Sequence, residues 1–172
     1  MRILLGKEQI NEIRELQKEL DIRIKENNNI DENADLNLEK YIALKTEFFE
    51  FVNEVESFKY WKKNKGKNHI LEEACDTLHF IMSLAIDNEV ELELKEETLK
   101  DFDMTKYDMN DIIGITDAMI SDCYIEQDWK DLELVLMFLC IMLNKCGFDA
   151  NDLYNSYISK NRVNHERQDN NY

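Results

Sequence analysis

The chain contains no proline and only four glycines in 172 residues. Proline and glycine end helices and shape tight turns. A chain nearly free of both is steered away from turn-rich β sandwiches and barrels and toward long uninterrupted helices. Asparagine takes over the punctuation, most clearly at Asn27-Asn28-Asn29, because its side chain competes for backbone hydrogen bonds. Between such joints the apolar spacing predicts six helices. The first covers about 5–26, with Ile10, Ile13, Leu16, Leu20 and Ile24 on one stripe. The others cover about 38–59, 69–87, 109–126, 129–146 and 149–164. A polar loop fills 27–36, a basic loop follows the second helix, and 89–108 reads as a loop with room for a short helix. Gly147 after Lys145 is a helix C-terminal signal. The alternation Glu89-Val90-Glu91-Leu92-Glu93-Leu94 is the one weakly strand-like stretch. The expectation is a single all-α helical bundle over 1–172, with a polar, flexible tail from about 160 to Tyr172.

Hydrophobic residues make up 44% and charged residues 34%, a globular composition and not that of a disordered tail. Lys and Arg number 21 against 37 Asp and Glu, for a net charge of −16. Such a surface repels duplex DNA and anionic membrane, so neither is an expected partner. No apolar run approaches the ~18 residues that span a bilayer, and the N-terminus carries no signal-peptide core. The expected setting is the cytoplasm. Cys75, Cys123, Cys140 and Cys146 form no Cys-x-x-Cys pair, and the first three sit among Ala, Ile and Leu. They read as small buried hydrophobes.

The second helix carries Glu47-Phe48-Phe49-Glu50-Phe51-Val52-Asn53-Glu54. Glu47 and Glu50 lie one turn apart on one face, which Glu54 extends. A solvated acidic face is the plain explanation in so acidic a chain. Yet this helix is apolar at nearly every azimuth, which is the pattern of a buried helix, and buried carboxylates are costly unless paired or metal-bound. The third helix repeats the theme in Leu71-Glu72-Glu73-Ala74-Cys75-Asp76-Thr77-Leu78-His79-Phe80. Either Glu72 or Glu73 can share a face with Asp76, and periodicity does not choose between them. A short connection makes the two helices antiparallel neighbours. The carboxylate pairs then face each other and would not stay ionised without cations. Hard divalent cations resolve the conflict, and Mg²⁺ suits it best when substrate phosphates complete its shell. Basic residues concentrate at two places, Lys59 to Lys67 and Lys160 to Arg167, as phosphate contacts would.

Three stretches together resemble the all-α dimeric dUTPases, relatives of the MazG-type nucleoside triphosphate pyrophosphohydrolases. The first runs from Glu47 through Glu50, Asn53, Glu54, Phe58 and Lys59 to Trp61. The second runs from Leu71 through Glu73, Asp76, His79 and Phe80 to Ser83. The third is the tail from Tyr157 through Lys160, Asn161, Asn164 and Arg167 to Gln168. The family pattern reads roughly E-x-x-E-x-x-N-E, then F-K-x-W, then E-E-x-x-D-x-x-H-F-x-x-S. Leu16-Gln17-Lys18-Glu19-Leu20-Asp21 is similar to the family's first helix. The likeness spans nearly the whole chain and is weakest over about 89–150.

The resemblance implies a homodimer hydrolysing dUTP, and in some members dUDP, to dUMP and pyrophosphate. It implies two or three Mg²⁺ ions, with Mn²⁺ as a substitute, on Glu47, Glu50, Glu73 and Asp76, and so selects Glu73 over Glu72. Water would attack the α-phosphorus, with Glu50 accepting its proton and Glu47 beside it. Lys59, Lys160 and Arg167 would grip phosphates. Gln17, Asn53, Trp61, His79, Phe80 and Asn164 would surround the nucleoside, since amides pair with the donor–acceptor edge of uracil. For Trp61 and His79 a core role is the plainer alternative, and for Asn53 a helix–helix hydrogen bond. Two other functions compete. One is a MazG-like hydrolase of another nucleotide such as dCTP, which the carboxylates alone do not distinguish. The other is a non-catalytic acidic partner-binding protein, whose mark would be a broken carboxylate quartet.

Overall fold

The computed structural model describes residues 2–63, 69–101 and 106–170. Among them are helices α1 (Lys7–Asn27), α2 (Asn37–Val55), α3 (Ile70–Asp87), α4 (Glu96–Asp101), α5 (Met109–Glu126), α6 (Leu132–Cys146) and α7 (Ala150–Asp169), and no strand. The fold is the expected all-α bundle. The strand-like alternation after Asn88 is a turn, with Glu89 left-handed at φ 55°, followed by irregular chain leading into α4, the short helix for which the sequence left room. Lys65, Lys67 and Tyr172 lie outside the described residues.

Local chemistry sets the helix ends. Asp108 and Asp149 each cap a helix by accepting two backbone N–H groups, from Asn110 and Asp111 and from Asn151 and Asp152. Gly147 ends α6 with φ 97°, a left-handed conformation open to glycine at little cost. Helix α2 stops at Val55 rather than near Lys59. Glu56 turns left-handed, with φ 56°, and its carboxylate gathers the ammonium groups of Lys59 (3.0 Å) and Lys62 (2.6 Å). Helix α7 instead runs past 164 to Asp169, tied to α1 by Asn27 donating to the Gln168 carbonyl (2.9 Å) and by an Arg23–Asp169 ion pair. The expected polar tail is thus largely helix.

The buried stripe of α1 is Ile10, Ile13, Gln17 and Leu20. It passes through Gln17 rather than Leu16, which is only partly buried. Helix α3 is the hub and packs against α1, α2, α6 and α7. Helix α6 buries every residue from Val135 to Leu143 and packs against α3 and α5. The four cysteines are free; Cys75, Cys123 and Cys140 are buried. Among the described residues, no helix is long and apolar enough to cross a membrane.

Candidate active site

Where α2 and α3 face each other, Glu47, Glu73 and Asp76 converge. Each offers a carboxylate oxygen, and these oxygens lie within 4.8 Å of one another. Spacing alone left Glu72 and Glu73 equivalent. In the fold Glu73 turns to the cluster, while Glu72 turns to His69 (3.2 Å) and Lys160 (3.1 Å). Glu50 stands outside the converging trio, although its charge acts on both Glu47 and Glu73. Burial, reinforced by the charges of Asp76, Glu50 and Glu73, pushes the Glu47 carboxyl up to about 7. Burial and the same kind of repulsion, first from Asp76, raise Glu73. This is the signature of like charges held together.

Lys160 of α7 answers part of that charge, donating to Asp76 Oδ2 (2.8 Å) and Glu72 Oε1 (3.1 Å). Burial works against its ammonium, but the two carboxylates outweigh burial and hold it above the ordinary lysine range.

Beside the cluster a cavity of about 530 Å³ opens between α1, α2, α3 and α7, a size suited to a small molecule. Glu47 and Asp76 line it, so cavity and carboxylates are continuous. Leu20, Ile24, Leu36, Ala43 and Phe80 give it an apolar wall, and Gln17, His79, Asn164 and Arg167 add polar groups. Arg167 donates to Asn164 Oδ1 at 3.4 Å.

A buried polar network backs this cavity. Gln17 Nε2 donates to Asp21 Oδ1 (2.7 Å). Gln17 Oε1 accepts from the Tyr157 hydroxyl (2.8 Å) and faces His79 Nδ1 (2.7 Å). Asp21 Oδ2 accepts from Ser83 (2.6 Å) and from Lys40 (3.5 Å), and Lys40 also meets Asp87 at 2.5 Å. The His79 ring stacks on Tyr157 with centroids 4.3 Å apart. Burial, aided by Lys160, pushes His79 down to about 3, so the ring is neutral. Its Nε2 is buried with no hydrogen-bond partner among the described residues.

Seven of the thirteen residues singled out from the sequence therefore line one cavity: Gln17, Glu47, Asp76, His79, Phe80, Asn164 and Arg167. Glu73 and Lys160 join them through the cluster. The other four stand apart. Glu50 and Asn53 border a shallow depression with Tyr41, Ile42, Lys45 and Phe49. The Lys59 ammonium is held by Glu56 and the Asn53 carbonyl. Trp61 is 64% exposed, edge-on to Phe58 and Tyr60. Sequence reasoning missed Asp21, Lys40, Ser83 and Tyr157 as a connected set. One signal was available: Gln17 falls in the apolar stripe of its helix with Asp21 one turn on, which marks a buried amide that needs a partner.

A family model described as dUTPase matches residues 9–172. No curated protein matches the chain.

Proposed function

The chain belongs to the dUTPase family, whose members hydrolyse dUTP to dUMP and pyrophosphate, and from that premise we propose how its residues divide the work. The observation that carries the reading is the continuity of a largely apolar, amide-edged cavity with a carboxylate trio. One accommodates a nucleoside and the other a charged phosphate chain with its cations.

The donor set at the trio is oxygen alone, and its repulsion is what a hard divalent cation relieves. Glu47, Glu73 and Asp76 would hold Mg²⁺, with Glu50 as the fourth carboxylate of the site. When bound, the ion offsets phosphate charge and makes the attacking water more acidic. Glu50 takes the proton of that water, a role its place outside the converging trio leaves open to it. Lys160, which donates to Asp76, would turn from that carboxylate to the substrate's phosphate oxygens, and Arg167 would bind them from the cavity side. Phe80 covers the base, and Asn164, His79 and Gln17 supply its polar contacts. The same reading keeps the enzyme in the cytoplasm with the free nucleotide pool.

A second copy of this chain is the proposed partner. Ile42 and Phe49 on α2 and Phe58, Tyr60 and Trp61 in the following turn are exposed apolar groups on neighbouring stretches of chain, which a homodimer would cover. Lys59, Asn53 and Trp61 then act at the subunit boundary. Light scattering should return twice the 20.6 kDa chain mass.

The direct test measures pyrophosphate release from dUTP, dTTP, dCTP and UTP, with and without Mg²⁺. Hydrolysis confined to dUTP and abolished by EDTA supports the assignment. Equal hydrolysis of dCTP contradicts the base contacts, and failure on all four contradicts catalysis.

A further inference from the structure

The hydrogen bonds behind the cavity determine which proton His79 carries. Asp21 presents a carboxylate, which only accepts. It already accepts from Ser83 and faces Lys40, itself braced by Asp87. The group of Gln17 that lies 2.7 Å from Asp21 Oδ1 must therefore be the amide NH₂. The amide oxygen then points the other way, and an amide oxygen cannot donate. Both groups that meet it, the Tyr157 hydroxyl and His79 Nδ1, have to be donors. A neutral imidazole has one N–H. With that hydrogen on Nδ1, Nε2 is a bare acceptor. The same Nε2 is buried and without a partner, in a ring that is only 6% exposed and lines the cavity. Buried acceptors left unpaired are uncommon and costly, and here a ligand would supply the missing donor.

Resting on the dUTPase reading of this cavity, we propose that Asp21, acting through Gln17, is a positioning residue for base selection. It locks His79 as the Nδ1–H tautomer, so that Nε2 accepts a hydrogen bond from the ring N3–H of uracil. Cytosine has a lone pair at N3 and would set acceptor against acceptor. Such a site discriminates by leaving the wrong base's polar group opposed and dry. Gln17 is thus the link that orients the reader: one N–H of its amide donates to Asp21, and its oxygen accepts from Tyr157 and His79.

The test begins on the wild-type protein with ¹⁵N-labelled histidine, by NMR. The proposal expects His79 to show protonated Nδ1 and unprotonated Nε2, with the Nε2 resonance moving when dUMP binds. A His79 protonated at Nε2 overturns the proposal. Kinetics on the Mg²⁺-loaded enzyme then compare dUTP, dCTP, N3-methyl-dUTP and 2′,3′-dideoxy-UTP. N3-methylation should cost about a hundredfold in kcat/KM, chiefly through KM. Loss only with the dideoxy substrate would assign Nε2 to the 3′-hydroxyl and overturn the base assignment. Asp21→Asn, which lets the Gln17 amide turn over, should give mixed His79 tautomers and cut dUTP-over-dCTP selectivity by about tenfold or more. Selectivity and tautomer both unchanged in a folded variant would overturn the relay. The wild-type measurements stand even if that variant does not fold. Failure of the wild type to turn over dUTP overturns the dUTPase reading itself, whereas turnover with an Nε2–H His79 overturns only the relay.

Discussion

Helices α3 and α6 pack against each other and are both buried on nearly every side, yet they are built from different residues. The buried side chains of α6 are all apolar or cysteine, from Leu132 to Leu143. Those of α3 include Thr77, His79 and Ser83, with Glu73 and Asp76 half-buried beside them. A helix can be buried for packing alone, as α6 is. In α3 each polar group needs a partner: Thr77 donates to the Glu73 carbonyl of its own helix, and the others meet groups of other elements, Gln17 and Asp21 of α1, Glu47 of α2 and Lys160 of α7. Burial with unresolved repulsion marks the candidate site, and burial without it marks the core.

Mutations should separate the two helices. Glu73→Gln removes one of three converging carboxylates and should lower kcat about a thousandfold, equivalent to ~4 kcal/mol of transition-state stabilisation. In EDTA its melting temperature should equal or exceed that of the wild type, because a repelling charge is gone. A large stability loss with activity retained would erase the distinction from α6. Leu136→Ala in α6 should do the opposite. Leu136 is wholly buried, so truncation should cost ~2–5 kcal/mol in urea unfolding, while kcat per folded molecule stays at the wild-type value.

The smallest effect is a slope in pH. Glu47 is raised from 4.5 to about 7 in the folded protein, so between those values the metal-free native state holds a proton that the unfolded chain has released. Native-state proton uptake favours folding at low pH, and this contribution is lost as pH rises from about 4.5 through 7. Denaturant midpoints in EDTA should therefore show stability falling over that window. Glu47→Gln should flatten the slope, as should saturating Mg²⁺. An unchanged slope in the variant would remove Glu47 as its source.

Much of this was legible in the sequence. Missing proline and the apolar periods gave the helices, and the Glu47/Glu50 and Glu73/Asp76 spacings placed carboxylates on the two helices that pair. The end of α2 was not legible, because it depends on Glu56 adopting a left-handed turn to hold two lysines that periodicity treats as helix and loop. The extension of α7 depends on contacts with α1, some 140 residues away in sequence. Glu50 looked equivalent to Glu47 at one turn's spacing, but only Glu47 converges with the carboxylates of α3. The Asp21–Gln17–His79 chain was hidden because its members are 62 residues apart at the closing step. Long-range polar pairing has no period to read.

The most direct measurement of the central claim is calorimetric titration of the metal-free protein with Mg²⁺ at pH 7, in buffers of different ionisation enthalpy. Binding should be accompanied by proton release, because burial and neighbouring carboxylates raise Glu47 to about 7 before the ion arrives, and both signals should be lost in Glu47→Gln. Mg²⁺ binding of undiminished affinity in that variant, or no binding by the wild type, would contradict the assignment of the carboxylate trio as the metal site.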